Sequence, residues 1–233
     1  MQSNVIMVTG AAGNLGSAVV TELASRGARL VCVERNAALL DELLTRLSPD
    51  TEVLKISGID LADIEACKNA VQKAEDRFGA IHGLVNTVGG FRMGRVSEAG
   101  LDQWDTVLRM NARSAYAISA AVLPTMQKSS YGRIVHIAAA AGLKGGAETA
   151  AYAASKAAVI RLTEAIAAEN RSHKITANCI VPVTIDTPQN RAAMPNANTD
   201  TWVQASAIAL LIAYLVSAEG GIVTGAAIPA TGF

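Results

Sequence analysis

A chain of 233 residues that is 51 % hydrophobic and 17 % charged holds enough apolar side chains for a sizeable core, which excludes a disordered chain. Its 20 Lys and Arg balance its 20 Asp and Glu, so no basic excess is present to grip a phosphate backbone, and general nucleic-acid binding is excluded. The longest apolar run, 207–216, is short of the roughly 20 residues a bilayer crossing needs, so no membrane span is expected.

Apolar strands alternate with amphipathic helices along the chain. Residues 1–8 carry neither a basic segment nor a long apolar one, so no signal peptide is expected. Residues 5–8 read as a strand, and 17–26 as a helix stopped by Gly27. A second strand, 28–33, precedes a helix over 37–47 that ends before Pro49. A third strand, 53–56, leads to a helix over 61–78 closed by Gly79, and 81–85 is a fourth strand. A long helix is expected over 101–127, bent or ended by Pro124. Residues 133–138 read as strand, 149–170 as a second long helix and 174–181 as strand. A last helix over 201–217 and a short strand at 226–229 close the chain. This alternation predicts an α/β fold, a doubly wound parallel sheet with helices on both faces, in one domain over 1–233. The polar, proline-bearing stretch 183–200 is long for a connection and is a candidate substrate loop or lid. Cys32, Cys67 and Cys179 are odd in number and form no CxxC pair, which favours a reducing, cytoplasmic compartment.

The run Thr9, Gly10, Ala11, Ala12, Gly13, Asn14, Leu15, Gly16 joins the first strand to the first helix. Gly10 permits a tight turn, Gly13 lets the backbone approach a pyrophosphate, and Gly16 lets helix and strand pack closely. The helix start then offers free N–H groups, with Asn14 and Leu15 among them, and a positive dipole end. Glu34 ends the second strand, where a carboxylate can accept from both ribose hydroxyls of NAD and repel a 2′-phosphate. Arg35 beside it can instead clamp the 2′-phosphate of NADP. The balance favours NAD(H), with NADP(H) possible. Asp60, with Leu61 after it, can reach an adenine edge, and Asp60 can equally cap the helix starting near 61.

Tyr152 and Lys156 stand four apart on the helix after the fifth strand, on one face. Together with residues 9–16, with Asn86, Thr87, Val88 and Gly89 after the fourth strand, and with Asn111, they make the chain resemble the short-chain dehydrogenase/reductase family over essentially its whole length. The resemblance implies a Rossmann fold and hydride transfer between a nicotinamide and a small-molecule substrate. It makes Tyr152 the general acid/base and Lys156 the cation that lowers the phenol pKa and holds the nicotinamide ribose. It gives Asn111 a water in a proton relay. Asn86 and Gly89 would line the adenosine ribose, and Pro182, Ile185 and Thr187 the nicotinamide side. It also implies a homodimer or homotetramer built on the long helices. No metal site is implied, since His82, His136 and His173 lack ligand spacing.

The chain departs from that family's pattern at three places. Ala139 stands where the family has its catalytic serine, Asn14 replaces a Gly or Ala, and Val183 follows Pro182 in place of Gly. Three readings of Ala139 are open: a substrate that needs no hydroxyl donor, a substitute such as Thr149 or a water, or a protein that binds cofactor without turnover. A branch typified by dihydropteridine reductase also pairs the Tyr and Lys with an alanine. It is similar here in residues 10–17, in Val88, Gly89, Gly90 and Phe91, and in 181–191 followed by Met194, Pro195 and Trp202. That similarity implies reduction of a quinonoid or conjugated ring. Ala139, Phe91 in the loop after the fourth strand and Trp202 after the lid are candidate substrate contacts. A 3-oxoacyl-type carbonyl reductase is the alternative.

Overall fold

The computed structural model describes residues 4–232, so Met1 to Ser3, within the stretch read above for a signal peptide, lie outside the described residues. The strands are β1 (Val5–Thr9), β2 (Arg29–Glu34), β3 (Val53–Ser57), β4 (Gly83–Asn86), β5 (Gly132–Ile137), β6 (Ile175–Pro182), β7 (Ile185–Asp186), β8 (Val203–Gln204) and β9 (Ala227–Ala230). The helices are α1 (Asn14–Ser25), α2 (Ala37–Leu44), α3 (Ile64–Phe78), α4 (Gly100–Leu108), α5 (Ser114–Ser129), α6 (Ala150–Glu169), α7 (Pro188–Ala193) and α8 (Ala205–Leu215). Seven strands form one parallel sheet in the order β3-β2-β1-β4-β5-β6-β9. The order reverses between β1 and β4, and such switch points open a crevice at the carboxyl ends of the strands.

Period-two alternation sends successive residues of β1 to opposite faces. Ile6 and Val8 enter a cluster with Val19, Val20 and Leu23 of α1 and Ile208 and Ile212 of α8. Val5 and Met7 enter a second cluster with Cys67 and Val71 of α3 and Ile118, Val122 and Met126 of α5. Both faces are covered, so the strands read as continuous apolar runs. Each buried Val, Leu or Ile contributes about 1.5–3 kcal/mol relative to exposure.

Several elements differ from their sequence expectations. The first helix starts at Asn14, three residues early, because Gly13 and not a polar side chain opens it. The third helix starts at Ile64, capped by Asp63, whose carboxylate accepts from Glu65 N at 2.9 Å. Asp60 is therefore not that cap; it closes a turn by accepting from Ala62 N at 2.9 Å. The long helix expected over 101–127 is interrupted by a π-turn at Arg109–Arg113, and Pro124 lies inside α5 without ending it. Burial of Ile118, Val122 and Met126 outweighs the one backbone bond that proline forgoes. The stretch 183–200 carries α7, and β7 before it pairs with β8 after it, which delays the last helix to Ala205.

Candidate active site

The carboxyl ends of β1, β2 and β4 frame a cavity of about 550 Å³ lined by Gly10, Gly13, Glu34, Arg35, Asp60, Leu61 and Gly89, among others. Gly10 takes a left-handed φ of +69° and donates to Val33 O at 2.9 Å, which turns the chain sharply out of β1. A Cβ on Gly16 would lie 2.0 Å from Gly10 O, so only glycine lets α1 begin against that turn. Glu34 reaches back to this loop. Its Oε2 accepts from Ala12 N at 3.1 Å, and its Oε1 from Arg35 N at 2.8 Å and Asn36 N at 3.2 Å. Asp60 accepts from Ala62 N, and its Oδ2 meets Arg109 Nη2 at 2.5 Å. These two partners hold the Asp60 carboxyl below its ordinary range, the Ala62 amide contributing most.

On the other side of the cavity the π-turn ties loops together. Asn111 Oδ1 accepts from Gly90 N at 2.9 Å, and its Nδ2 donates to Gly90 O at 3.0 Å and to Ser155 Oγ at 2.9 Å. Ser155 Oγ donates in turn to Tyr152 O at 2.7 Å. Both amide hydrogens of Asn111 are thus spent on protein atoms, and the side chain clamps the loop after β4 to the turn of α6 that carries Tyr152 and Lys156. At the two ends of the π-turn, Arg109 meets Asp60, and Arg113 Nε donates to Ala62 O at 2.9 Å. A Cβ on Gly89 would lie 2.7 Å from Asn111 Oδ1 and 3.0 Å from Lys156 Nζ.

Lys156 is 5 % exposed and donates through Nζ to Ile137 O at 2.8 Å. Burial lowers its pKa to about 8. Burial also raises the Tyr152 phenol above its ordinary value. The Lys156 ammonium is drawn toward Ile137 O and stands 5.9 Å from the Tyr152 ring centroid. Phe91 packs edge-on against Tyr152, with centroids 4.8 Å apart and planes at 88°. Ala139 is 8 % exposed at the end of β5 and presents a methyl group. Thr149 does not replace its hydroxyl, since Thr149 Oγ1 donates to Gly146 O at 2.9 Å and accepts from Gly146 N at 3.1 Å.

The strap after β6 carries the remaining expected residues. Pro182 ends β6, Ile185 pairs with Val203, and Thr187 caps α7 by accepting from Asn190 N at 3.1 Å. Gln189 of α7 hydrogen-bonds Asn14, which brings the strap onto the glycine-rich loop and its first helical residues, Asn14 and Leu15. Trp202 is buried at 7 % exposure just before β8. Asn86 is buried beneath the cleft and accepts from Thr9 Oγ1 at 2.7 Å. Sequence reasoning missed Arg109, Arg113, Ser155 and Gln189. Arg109, Arg113 and Ser155 lie within two residues of Asn111 or Lys156, a proximity that marks them for inspection, whereas nothing local links Asn14 to a residue 175 positions away.

Bare backbone at Gly10, Gly16 and Gly89, two carboxylates on the cavity wall and a buried Lys one helical turn from a Tyr fit a nicotinamide dinucleotide. Residues 4–198 match the family model described as short chain dehydrogenase. The 3-oxoacyl-[acyl-carrier-protein] reductase FabG of Vibrio cholerae is 30 % identical over 97 % of this chain and 94 % of that protein. Dehydrogenase/reductase SDR family member 6 of Rattus norvegicus is 30 % identical over 97 % of this chain and 94 % of that protein. Among solved structures, levodione reductase superposes with a TM-score of 0.92 at 26 % identity, covering 98 % of this chain and 96 % of that one. NAD+-bound xylitol dehydrogenase does so with a TM-score of 0.91 at 26 % identity, covering 100 % and 99 %. Fold, cleft and relatives agree, and the chain belongs to the short-chain dehydrogenase family as an NAD(P)-dependent oxidoreductase.

Proposed function

We propose that this protein is an NAD(H)-preferring reductase of a quinonoid or otherwise conjugated ring, a dihydropteridine-reductase-like reaction, with Tyr152 as proton donor. The observation that carries this reading is Ala139. A ketone develops alkoxide charge as hydride arrives, and removing one donor to such a charge costs about 10²–10³ in rate. A conjugated ring spreads that charge over its own atoms and needs only a hydride and a proton. The bound nicotinamide supplies the hydride. Tyr152, a phenol protonated at neutral pH, holds the proton ready. Lys156 and the Asn111–Ser155 clamp fix its position, and Phe91 offers a flat ring an aromatic wall.

Cofactor binding is assigned to Gly10, Gly13, Asn14, Leu15 and Gly16 at the diphosphate. Glu34, Arg35, Asp60, Leu61, Asn86 and Gly89 serve the adenosine side, and Pro182, Ile185 and Thr187 the nicotinamide side. Glu34 supports NAD(H), because a carboxylate at the cleft wall repels a 2′-phosphate. The three free, buried cysteines suit a cytoplasmic protein. The family resemblance supports a dimer or tetramer through the long helices.

A second reading, carbonyl reduction of a 3-oxoacyl type, is favoured by the names of several relatives. It lacks a donor in place of Ala139. The deciding experiment follows oxidation of NADH and of NADPH with quinonoid dihydropterin and, separately, with a simple β-keto ester. The pterin should be turned over with NADH, and the ester at least about 100-fold more slowly. Tyr152→Phe should lose about 10²–10⁴ in turnover and keep cofactor affinity. Turnover of the ester alone would overturn the reading in favour of the second.

A further inference from the structure

We propose that His136 is a positioning residue of the cofactor cleft, acting through Asn86; the inference rests on reading that cleft as the NAD(H) site. His136 lies on β5, fully buried, with no solvent to satisfy either ring nitrogen. Its Nδ1 is 3.4 Å from Asn86 Nδ2 and its Nε2 is 3.1 Å from Ser119 Oγ. Asn86 Oδ1 accepts from Thr9 Oγ1 at 2.7 Å and from Val88 N at 3.3 Å. Ser119 Oγ donates to Ala115 O at 2.7 Å.

One proton arrangement satisfies all of these contacts. Asn86 Oδ1 is occupied by two donors, so its amide NH₂ faces His136, and an NH₂ can only donate. Nδ1 must then carry a lone pair, and the ring proton sits on Nε2. That proton goes to Ser119 Oγ, whose own hydrogen is committed to Ala115 O. The chain of bonds runs from α5 through β5 and β4 to β1 without a conflict. Burial, with the Lys156 ammonium acting in the same direction, lowers the pKa of His136 to about 4, so the neutral ring that the arrangement needs is the one present.

The arrangement shapes the cleft because of what Asn86 holds. Val88 N hangs from Asn86 Oδ1, Thr87 Oγ1 donates to Thr9 O at 2.8 Å, and the next residue is Gly89, packed against Asn111 and Lys156. Thr87, Val88 and Gly89 all line the cavity. Without an acceptor at His136 Nδ1, the Asn86 NH₂ is left as a buried donor with no partner, and it can regain one only if the Asn86 side chain shifts from its place. Such a shift takes Oδ1 away from Val88 N and Thr9 Oγ1, and the turn that lines the cleft loses its anchor.

The test compares His136→Phe, which keeps a ring and loses both nitrogens, with His136→Asn, which keeps an acceptor on the atom next to Cγ, where Nδ1 stands. NADH affinity is measured by fluorescence titration at a temperature where circular dichroism shows each variant folded, and Tm is recorded alongside. His136→Asn should bind NADH within about threefold of wild type, and His136→Phe about tenfold more weakly. Should His136→Phe not fold, Thr9→Val cuts the same chain at its other end and carries the same expectation. Unchanged NADH affinity in His136→Phe or Thr9→Val, with Tm lowered, would make His136 a packing residue and overturn the inference. Absence of NADH binding by the wild type would instead overturn the reading of the cleft, and the inference with it.

Discussion

The Nζ of Lys156 on α6 donates to the carbonyl oxygen of Ile137 at the end of β5, 2.8 Å away, and so ties the helix of Tyr152 to the strand that ends beside Ala139. The bond uses one of three ammonium hydrogens. The remainder of the charge is held in a buried site, and burial lowers the Lys156 pKa from 10.5 to about 8. Between those values the unfolded chain carries a proton that the folded one has shed, so stability rises with pH from about 8 to about 10.5. Below pH 8 the fold bears the full cost of the buried ammonium. Lys156→Met should therefore raise stability at pH 7, by up to about 3 kcal/mol, and flatten the alkaline rise. It should also abolish turnover. Denaturant melts at pH 7, 8.5 and 10 check the sign, and a Lys156→Met protein less stable at pH 7 would contradict it.

Ser155 is fully buried between two groups that matter to Tyr152. It accepts from Asn111 Nδ2 and donates to Tyr152 O. Ser155→Ala leaves one amide hydrogen of Asn111 without an acceptor, at a cost of about 1–3 kcal/mol. In a chain of this length each kcal/mol lowers Tm by about 2–4 °C. The turn of α6 carrying Tyr152 should loosen, with kcat reduced about tenfold and the KM for cofactor little changed. Steady-state kinetics with both substrates varied separate the two, and a rise in cofactor KM alone would place the effect elsewhere.

The sheet was legible because each strand is an apolar run bounded by Gly, Pro or polar residues, and burial on both faces enforces that pattern. The Tyr152 and Lys156 pair and the 9–16 loop were legible because their chemistry depends on local spacing. The π-turn was not, since residues 109–113 have ordinary helical character and the interruption comes from partners far along the chain: Asp60, Ala62, Gly90 and Ser155. The chain of bonds through His136 left a faint trace. Thr9, Asn86 and His136 are polar residues at or near the ends of three largely apolar strands, and neighbouring strands bring them side by side.

Glu34 offers both oxygens to backbone amides of Ala12, Arg35 and Asn36 at the end of β2. A second anion placed there would meet a carboxylate whose amide partners are already taken. Glu34→Ala removes the repulsion, exposes the Arg35 side chain to the incoming phosphate, and frees three N–H donors. NADH affinity should fall about tenfold and NADPH affinity should rise, so the preference narrows or inverts. Titration of the variant with both cofactors checks this, and an unchanged ratio would show that Glu34 acts only on the loop.

Phe91 is 55 % exposed, so its edge-on contact with Tyr152 contributes little to folding, and its ring is open to a ligand. An aromatic pair of this geometry is worth about 0.5–1.5 kcal/mol beyond area burial. A flat conjugated substrate placed for hydride transfer can stack in the corner that the two rings form, with Tyr152 at its edge to deliver the proton. Phe91→Ala should then raise KM for such a substrate about tenfold with kcat reduced less, while Phe91→Tyr stays near wild type. A compact aliphatic ketone has no face to stack, so any residual turnover of it should respond less. Equal losses for flat and aliphatic substrates would mean that Phe91 positions Tyr152 and not the substrate, and Tm, insensitive to a half-exposed ring, would then have to stay unchanged while kcat fell for both.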